Sequence, residues 1–160
     1  MPDGHTIAAH HRCGDTDESA EGQPALKIIS GKTVQCKGPD GIRSVYAGAE
    51  RVAVQVSGLR ASSRYIFAVA WCEPDEQRRM QRIVLEKGAV PLEILPPARA
   101  AAFYKDQPTF ARVLFPVPKS DSDSDTLTIA IERSEGPDAV ASEFWLLERT
   151  EGSPEKRVLI

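Results

Sequence analysis

Alternation of apolar and polar residues with a period of two is the feature that most constrains this chain. From residue 24 onward, short apolar runs recur between turn signals at intervals of about 8–12 residues, a spacing typical of β-sandwiches and barrels. The clearest run is Arg51–Ser57, in which three valines share one face of the strand. The pattern predicts an all-β fold, namely a two-sheet antiparallel β-sandwich of about nine strands, immunoglobulin-like or jelly-roll-like.

Nine runs between residues 25 and 150 carry this signal. The run at 63–72 is apolar on both faces, which predicts a central strand that is covered on both sides. The predicted strands are 25–30, 32–37, 42–47, 51–57, 63–72, 79–86, 109–117, 126–133 and 143–150.

Residues 75–87 are consistent with two structures. One is a helix capped by Asp75, and the other is a loop followed by a strand at 79–86 that returns beside the strand at 63–72. The strand is favoured because the Ile-Val-Leu run is β-prone and because a hairpin return is short.

Proline limits the structure of the middle of the chain. Prolines at 91, 96 and 97 restrict residues 91–95 to a short edge strand. Residues 97–105 begin with proline and are rich in alanine, which predicts a short helix with Pro97 in its first turn. Residues 157–160 add a further edge strand at most.

The first 23 residues differ in composition from the rest. They hold one member of the Leu, Ile, Val and Phe set and carry a net charge of −4, whereas residues 24–160 carry +1. Sparse apolar residues and excess charge predict a flexible acidic tail, because little burial is available to offset the entropy of ordering. The expected organisation is this tail, residues 1–23, followed by one β-sandwich domain, residues 24–160.

Residues 52–70 resemble the fibronectin type III family. An alternating strand is followed by Leu59, by Tyr65 six residues later, and by a second alternating strand that ends in a small residue. The resemblance implies an immunoglobulin-like sandwich in which Leu59 and Tyr65 form a structural corner, with the tyrosine ring on the leucine and its hydroxyl bonded to the loop backbone. The sequence departs from the family at Ala61, where proline is usual, and it has no tryptophan before position 71.

The three histidines of the chain all lie in the predicted tail. His5, His10, His11 and the nearby Cys13 are four potential ligands for zinc or copper. No second pair of donors accompanies them in the way that structural zinc sites require, so a polar tail with incidental histidines is the preferred interpretation.

The predicted domain lacks the residues that most often perform catalysis. It contains no histidine, the commonest general base, and Cys36 and Cys72 lie in apolar runs where cysteine behaves as a small hydrophobic residue. No phosphate-binding glycine loop, dinucleotide fingerprint or nucleophile elbow is present. We therefore expect a protein that is not an enzyme and that has no cofactor.

Three alternating acids suggest a calcium loop. Asp121, Asp123 and Asp125 are followed by Glu132 at the twelfth position, as in an EF-hand, but Thr126 takes the sixth position, where glycine is needed. Calcium bound at a sandwich loop tip is a second interpretation. A solvated acidic hairpin loop is the simplest one, so no metal is expected.

The two tryptophans lie within apolar strands. Trp71 and Trp145 are therefore expected in the core. If either ring is exposed on a sheet face, it becomes the best candidate for a carbohydrate or peptide platform.

Charge and cysteine content exclude some classes of protein. A net charge of −3 gives no reason to expect nucleic-acid binding, and no apolar run reaches the ~20 residues of a membrane span. An odd number of scattered cysteines and no basic-then-apolar leader predict an intracellular, cytoplasmic protein.

The leading functional hypothesis is a non-catalytic protein–protein interaction module, such as an adaptor. It rests on the sandwich pattern, the corner motif and a proline-rich middle section that could offer sheet edges. A structural subunit of a larger shell, fibre or appendage, formed by self-assembly, is one alternative. A carbohydrate- or calcium-binding sandwich is the other.

Overall fold

The computed structural model describes residues 4–14, 23–38, 41–71, 78–86, 90–99, 111–117 and 126–150. These residues contain twelve β-strands and no helix. The strands are β1 Thr6–Arg12, β2 Ala25–Ser30, β3 Lys32–Gly38, β4 Gly41–Gly48, β5 Arg51–Ser57, β6 Ser63–Trp71, β7 Met80–Glu86, β8 Leu92–Arg99, β9 Ala111–Val117, β10 Leu127–Glu135, β11 Ala139–Ala141 and β12 Glu143–Thr150.

The strands form three sheets in which every pair is antiparallel. The four-stranded sheet has the order β1-β12-β6-β9, the five-stranded sheet β2-β5-β10-β7-β8, and the three-stranded sheet β11-β4-β3. The predicted all-β, antiparallel class is confirmed. The number of strands exceeds the expected nine because β1, β8 and β11 lie where the alternation is weak or short.

β6 is an interior strand of its sheet, and described residues on both of its faces are buried. It lies between β12 and β9, and Phe67 and Val69 on one face and Ala68 and Ala70 on the other are all buried. The predicted central placement of this strand is confirmed.

The segment at 80–86 is a strand, β7, so the preference for a strand over a helix is confirmed there. Its neighbours are β10 and β8, and the predicted hairpin beside the strand at 63–72 is wrong. Leu85 and Ile83 are buried, and pairing with β10 places them beside other β-branched and aliphatic side chains of the same sheet. Residues 75–77 and 87 lie outside the described residues.

The helix predicted from Pro97 is wrong over residues 97–99, because β8 extends to Arg99. A proline φ near −65° suits the first turn of a helix, but it also suits an edge strand, and β8 is the edge of its sheet. Residues 100–105 lie outside the described residues, as do 157–160.

The predicted flexible tail is wrong over β1. Thr6–Arg12 pairs with β12 along its length, with a register shift between Ile7 and Ala9. Ladder hydrogen bonds are made by the backbone, so a strand that completes a sheet edge needs fewer apolar residues than the composition rule assumes. Residues 15–22 lie outside the described residues.

The chain passes from one sheet to another at Ser142. β11 pairs with β4, whereas β12, which begins one residue after Ser142, pairs with β6 and β1. The backbone of Ser142 donates to Ala70 O at 3.0 Å and accepts from Cys13 N at 2.9 Å. One cluster of buried apolar residues draws on all three sheets, including Val54, Phe144 and Tyr46.

Candidate functional site

The two adjacent histidines of β1 lie on opposite faces of the strand. His10 is partly exposed, stacks on Trp145 with ring centroids 5.4 Å apart, and donates from Nε2 to Glu143 Oε1 at 2.6 Å. His11 is buried, and its Nε2 lies 2.6 Å from the hydroxyl of Tyr46. A strand alternates its side chains between faces, so consecutive residues cannot ligate one metal ion together.

The predicted metal-ligand group is therefore divided. Cys13 is buried, with its Sγ 3.9 Å from Thr33 Oγ1, and His5 is partly buried near the start of β1. Within the described ranges, no three side chains of His, Cys, Asp or Glu are placed to hold a metal ion. Asp121, Asp123 and Asp125 lie outside those ranges, so the structure does not describe the candidate calcium loop.

Trp145 is half-buried on the side of the four-stranded sheet opposite Phe144. The cross-strand partner of Trp145 is His10, and Ala68 is its neighbour on β6. The Trp145 ring, the His10 imidazole and the Glu143 carboxylate form a polar-aromatic cluster on an outer sheet face. The side chain of Trp71 lies outside the described residues.

Leu59 and Tyr65 flank a loop that joins two sheets, because β5 belongs to the five-stranded sheet and β6 to the four-stranded one. The Tyr65 hydroxyl accepts a hydrogen bond from the Arg60 backbone N–H at 3.0 Å, and Leu59 packs against the core. Gly58 has a φ of +70°, and a Cβ there would lie 2.8 Å from the Gln23 carbonyl oxygen, so only glycine suits this position.

Glu148 extends the hydrogen-bond network around Tyr65. Its Oε1 accepts from Ser63 Oγ at 2.6 Å and from the Tyr65 hydroxyl at 3.1 Å. Burial raises the pKa of the Tyr65 phenol above its ordinary value of 10.0, because the phenolate would lose its solvation, and the Glu148 carboxylate raises the pKa further. We interpret this network as structural, because its bonds join the loop after β5 to β6 and β12.

One edge of the three-stranded sheet is closed by a side chain. The Gln81 amide is fully buried, donates to the Val140 carbonyl oxygen at 3.2 Å, and accepts from the Val140 N–H. It therefore pairs with β11 as a neighbouring strand would. The buried Arg79 Nε donates to Asp138 Oδ1 at 2.6 Å beside this cap.

Four other edge strands carry features that discourage pairing with another chain. Pro96 and Pro97 interrupt β8, and Pro116 interrupts β9. Register shifts, the signature of bulges, occur in β1 and in β2, and these two edges also lie beside each other. Prolines, bulges and coverage are the usual means by which sheet edges avoid aggregation.

The remaining edge, β3, has no bulge and no covering strand among the residues that the structure describes, and its protection there is limited to the charges of Lys32 and Lys37, which discourage pairing with a like-charged strand. It pairs with β4 in a continuous register from Lys32 to Gly38 and contains no proline. Residues 31–35 are all exposed, and Val34 is 44% exposed. No described strand pairs with the N–H and C=O groups on the outer side of β3, and these are the groups to which an added strand would bond.

The sequence pattern predicts neither the open edge at β3 nor the cap that Gln81 forms on β11. The apolar alternation of β3 is visible in the sequence, but its edge position depends on the order of the sheet. Gln81 lies in an apolar strand, and a buried glutamine in such a strand is a usable signal, because a buried amide must find hydrogen-bond partners.

Comparison with known proteins adds no assignment. No protein-family model and no curated protein matches the chain. Among the described residues, no helix is long and apolar enough to cross a bilayer.

Proposed function

We propose that the protein is a non-catalytic protein–protein interaction module that binds an extended segment of its partner by strand addition at β3. The observation that carries this proposal is the contrast between β3 and the five other sheet edges of the described residues. In strand addition the main chain provides affinity, and alternate side chains provide specificity.

The proposed architecture is an immunoglobulin-like or jelly-roll-like β-sandwich. Its support is the single buried cluster, which draws from all three sheets, together with the corner loop that joins the five-stranded and four-stranded sheets. Such a frame holds β3 in position, because β4 connects it to β11, whose other edge is occupied by Gln81.

The buried polar side chains support a non-catalytic role. His11 contacts Tyr46, Arg79 pairs with Asp138, Gln81 pairs with Val140, and Ser63 donates to Glu148. Each of these bonds joins one strand or loop to another, which is a stabilising function.

Selection from a random peptide display library against the full chain tests this proposal. Two single variants, Val34→Pro and Gln35→Pro, are compared. Successive N–H groups of a strand point to opposite sides, so one proline removes an N–H that faces β4 and the other removes an N–H on the outer edge. One loses a bond to β4. The other loses only an outward donor and keeps the melting temperature, and this second variant is the edge-blocking one.

We expect the selected peptides to bind the native chain and to lose most of their affinity for the edge-blocking variant. Binding should also protect backbone amides of residues 32–37 from hydrogen exchange. Peptides that bind both chains equally, without protection in β3, would contradict strand addition. Reversible dimers of the free chain at low concentration would favour the alternative of a self-assembling structural subunit.

A second candidate function is carbohydrate binding at the cluster of His10, Glu143 and Trp145. Its support is a half-buried indole beside a carboxylate on an outer sheet face, since sugar rings stack on aromatic faces and bond to carboxylates. Because His10 already stacks on this indole and bonds to this carboxylate, a sugar would have to displace the imidazole. A panel of neutral oligosaccharides should then quench the fluorescence of a Trp71→Phe chain, in which Trp145 is the one tryptophan, and should not quench it when Glu143→Gln is added. The absence of any quenching would remove this candidate.

A further inference from the structure

We propose that the segment bound by β3 is an acidic peptide, with carboxylates on both faces of the added strand and an aliphatic side chain opposite Val34. This inference rests on the proposed strand addition and specifies the chemistry of the partner. It is carried by the charge around β3, which is opposite in sign to that of the whole chain.

Charge is distributed unevenly along the sequence. Residues 23–49, which include β2, β3 and β4, hold four basic residues and one acidic residue, Asp40, and carry +3. The rest of the chain carries −6, so that the total is −3. The basic residues are Lys27, Lys32, Lys37 and Arg43.

Two of the four basic residues are on the edge strand that an added strand would pair with. Lys32 and Lys37 are on β3 itself, at register positions five residues apart. Arg43 is the cross-strand partner of Cys36 on β4. An added strand would have cross-strand neighbours at each of the β3 positions, where opposite charges stabilise pairing and like charges oppose it.

These charges oppose one register of pairing with a second copy of this chain. If two β3 strands paired antiparallel about a two-fold axis between Val34 and Gln35, Lys32 of each copy would face Lys37 of the other. Like charges directly opposite each other destabilise a sheet. An acidic strand replaces both repulsions with attractions.

Three labelled peptides of about seven residues, the length of a typical edge strand, test the inference with the full chain. The first carries two glutamates five positions apart, so that they can lie opposite Lys32 and Lys37, with valine at the position opposite Val34. The second replaces each glutamate with lysine, and the third is the acidic peptide with a central proline. Fluorescence anisotropy measures affinity, and hydrogen exchange reports where each peptide binds. The proline peptide controls for charge attraction without strand pairing.

We expect the acidic peptide to bind about tenfold more tightly than the lysine peptide at low salt, which corresponds to two favourable cross-strand charge pairs of about 0.7 kcal/mol each. The preference should shrink as salt screens exposed charges. The proline peptide should bind weakly, and only the acidic peptide should protect amides of residues 32–37.

Charge reversal provides the matched comparison. In the double variant Lys32→Glu and Lys37→Glu, the preference should invert toward the lysine peptide. Lys27→Glu, an equal change per residue at an exposed position on β2, should alter both affinities modestly and leave the preference in place.

Each outcome separates this inference from strand addition itself. If the lysine peptide binds as well as the acidic one and protects β3, the acidic preference is wrong and strand addition stands. If the acidic peptide binds without protecting β3, both are wrong. If no peptide binds, the acidic preference is wrong, and the display selection alone decides on strand addition. Dimers of the free chain that protect β3 would identify a second copy as the occupant.

Discussion

The three-stranded sheet has two edges that are treated in opposite ways. At β11 the edge is buried, and the Gln81 amide forms both of the hydrogen bonds that Val140 offers on that side. At β3 the edge is exposed, and no side-chain cap of this kind is found among the described residues. The two edges have the same backbone chemistry and differ in their access to water.

This difference shows that the backbone groups of a sheet edge need partners from the same chain when the edge is buried. A buried N–H or C=O without a partner costs about 1–3 kcal/mol, so the β11 edge requires a partner from within the chain. The exposed β3 edge bonds to water instead and remains available for exchange with another strand. The predictions that follow compare the two edges, beginning with the largest expected effect.

Gln81→Ala should destabilise the protein by about 3–5 kcal/mol, because it leaves the buried N–H and C=O of Val140 unpaired and opens a cavity. Gln35→Ala, the same substitution on the exposed β3 edge, should change stability by less than about 0.5 kcal/mol. Urea unfolding measures both. Equal losses for the two glutamines would remove the distinction between the edges.

Asp138→Ala should cost about 2 kcal/mol, because it deprives the buried Arg79 of its carboxylate at the β11 edge. The figure lies below the cost of breaking a fully buried pair, since Asp138 is 28% exposed and water can replace part of the interaction. The exposed pair Arg133–Glu50 is the control, and Glu50→Ala should have little effect. A loss at Asp138 no larger than that at Glu50 would show that Arg79 is solvated there.

Much of the fold was predictable from the sequence, whereas the edges were not. Alternation located β5, β6 and β10, because a strand with buried residues on a repeated face leaves a period of two in the sequence. It missed β1, whose ladder with β12 depends on backbone bonds rather than on apolar side chains. The order of strands in a sheet is set by contacts between distant residues, so the open edge of β3 has no local signature. A glutamine within the apolar strand β7 indicates that its amide needs hydrogen-bond partners, but it does not indicate that β11 supplies them.

The candidate site shows the same limit. The spacing of His10, His11 and Cys13 suggested a metal site, but the strand directs the two histidines to opposite faces, toward Trp145 and Tyr46. Donor spacing alone is informative only when the local structure is known. By contrast, the spacing of Leu59 and Tyr65 carries its own structural context, because the residues between them form the loop that a tyrosine corner requires.

Tyr65→Phe should cost about 1–2 kcal/mol near neutral pH, because it removes the acceptor of the Arg60 N–H and a donor to Glu148. In the native chain the Tyr65 pKa is raised above 10.0, so the folded protein retains a proton that the unfolded chain loses. Its stabilising contribution is therefore complete below pH 10 and falls as pH rises toward the folded pKa. Unfolding in urea at several alkaline pH values should show a shallower decline for Tyr65→Phe, and identical slopes would contradict the assigned cause.

At Val34, on β3, we expect a small effect on stability together with a large effect on binding. Val34→Asp replaces an exposed side chain, so the free energy of unfolding should change by less than about 1 kcal/mol, the span of strand propensities. Binding of the acidic peptide should nevertheless fall about tenfold or more, because the variant loses the apolar contact and adds a carboxylate opposite an acidic strand. Val34→Thr, which keeps the β-branched shape without the charge, should bind more nearly as the native chain does. Anisotropy titration and urea unfolding on the same samples separate the two quantities: a large loss of stability with unchanged binding would mean that β3 supports the fold and that the partner binds elsewhere.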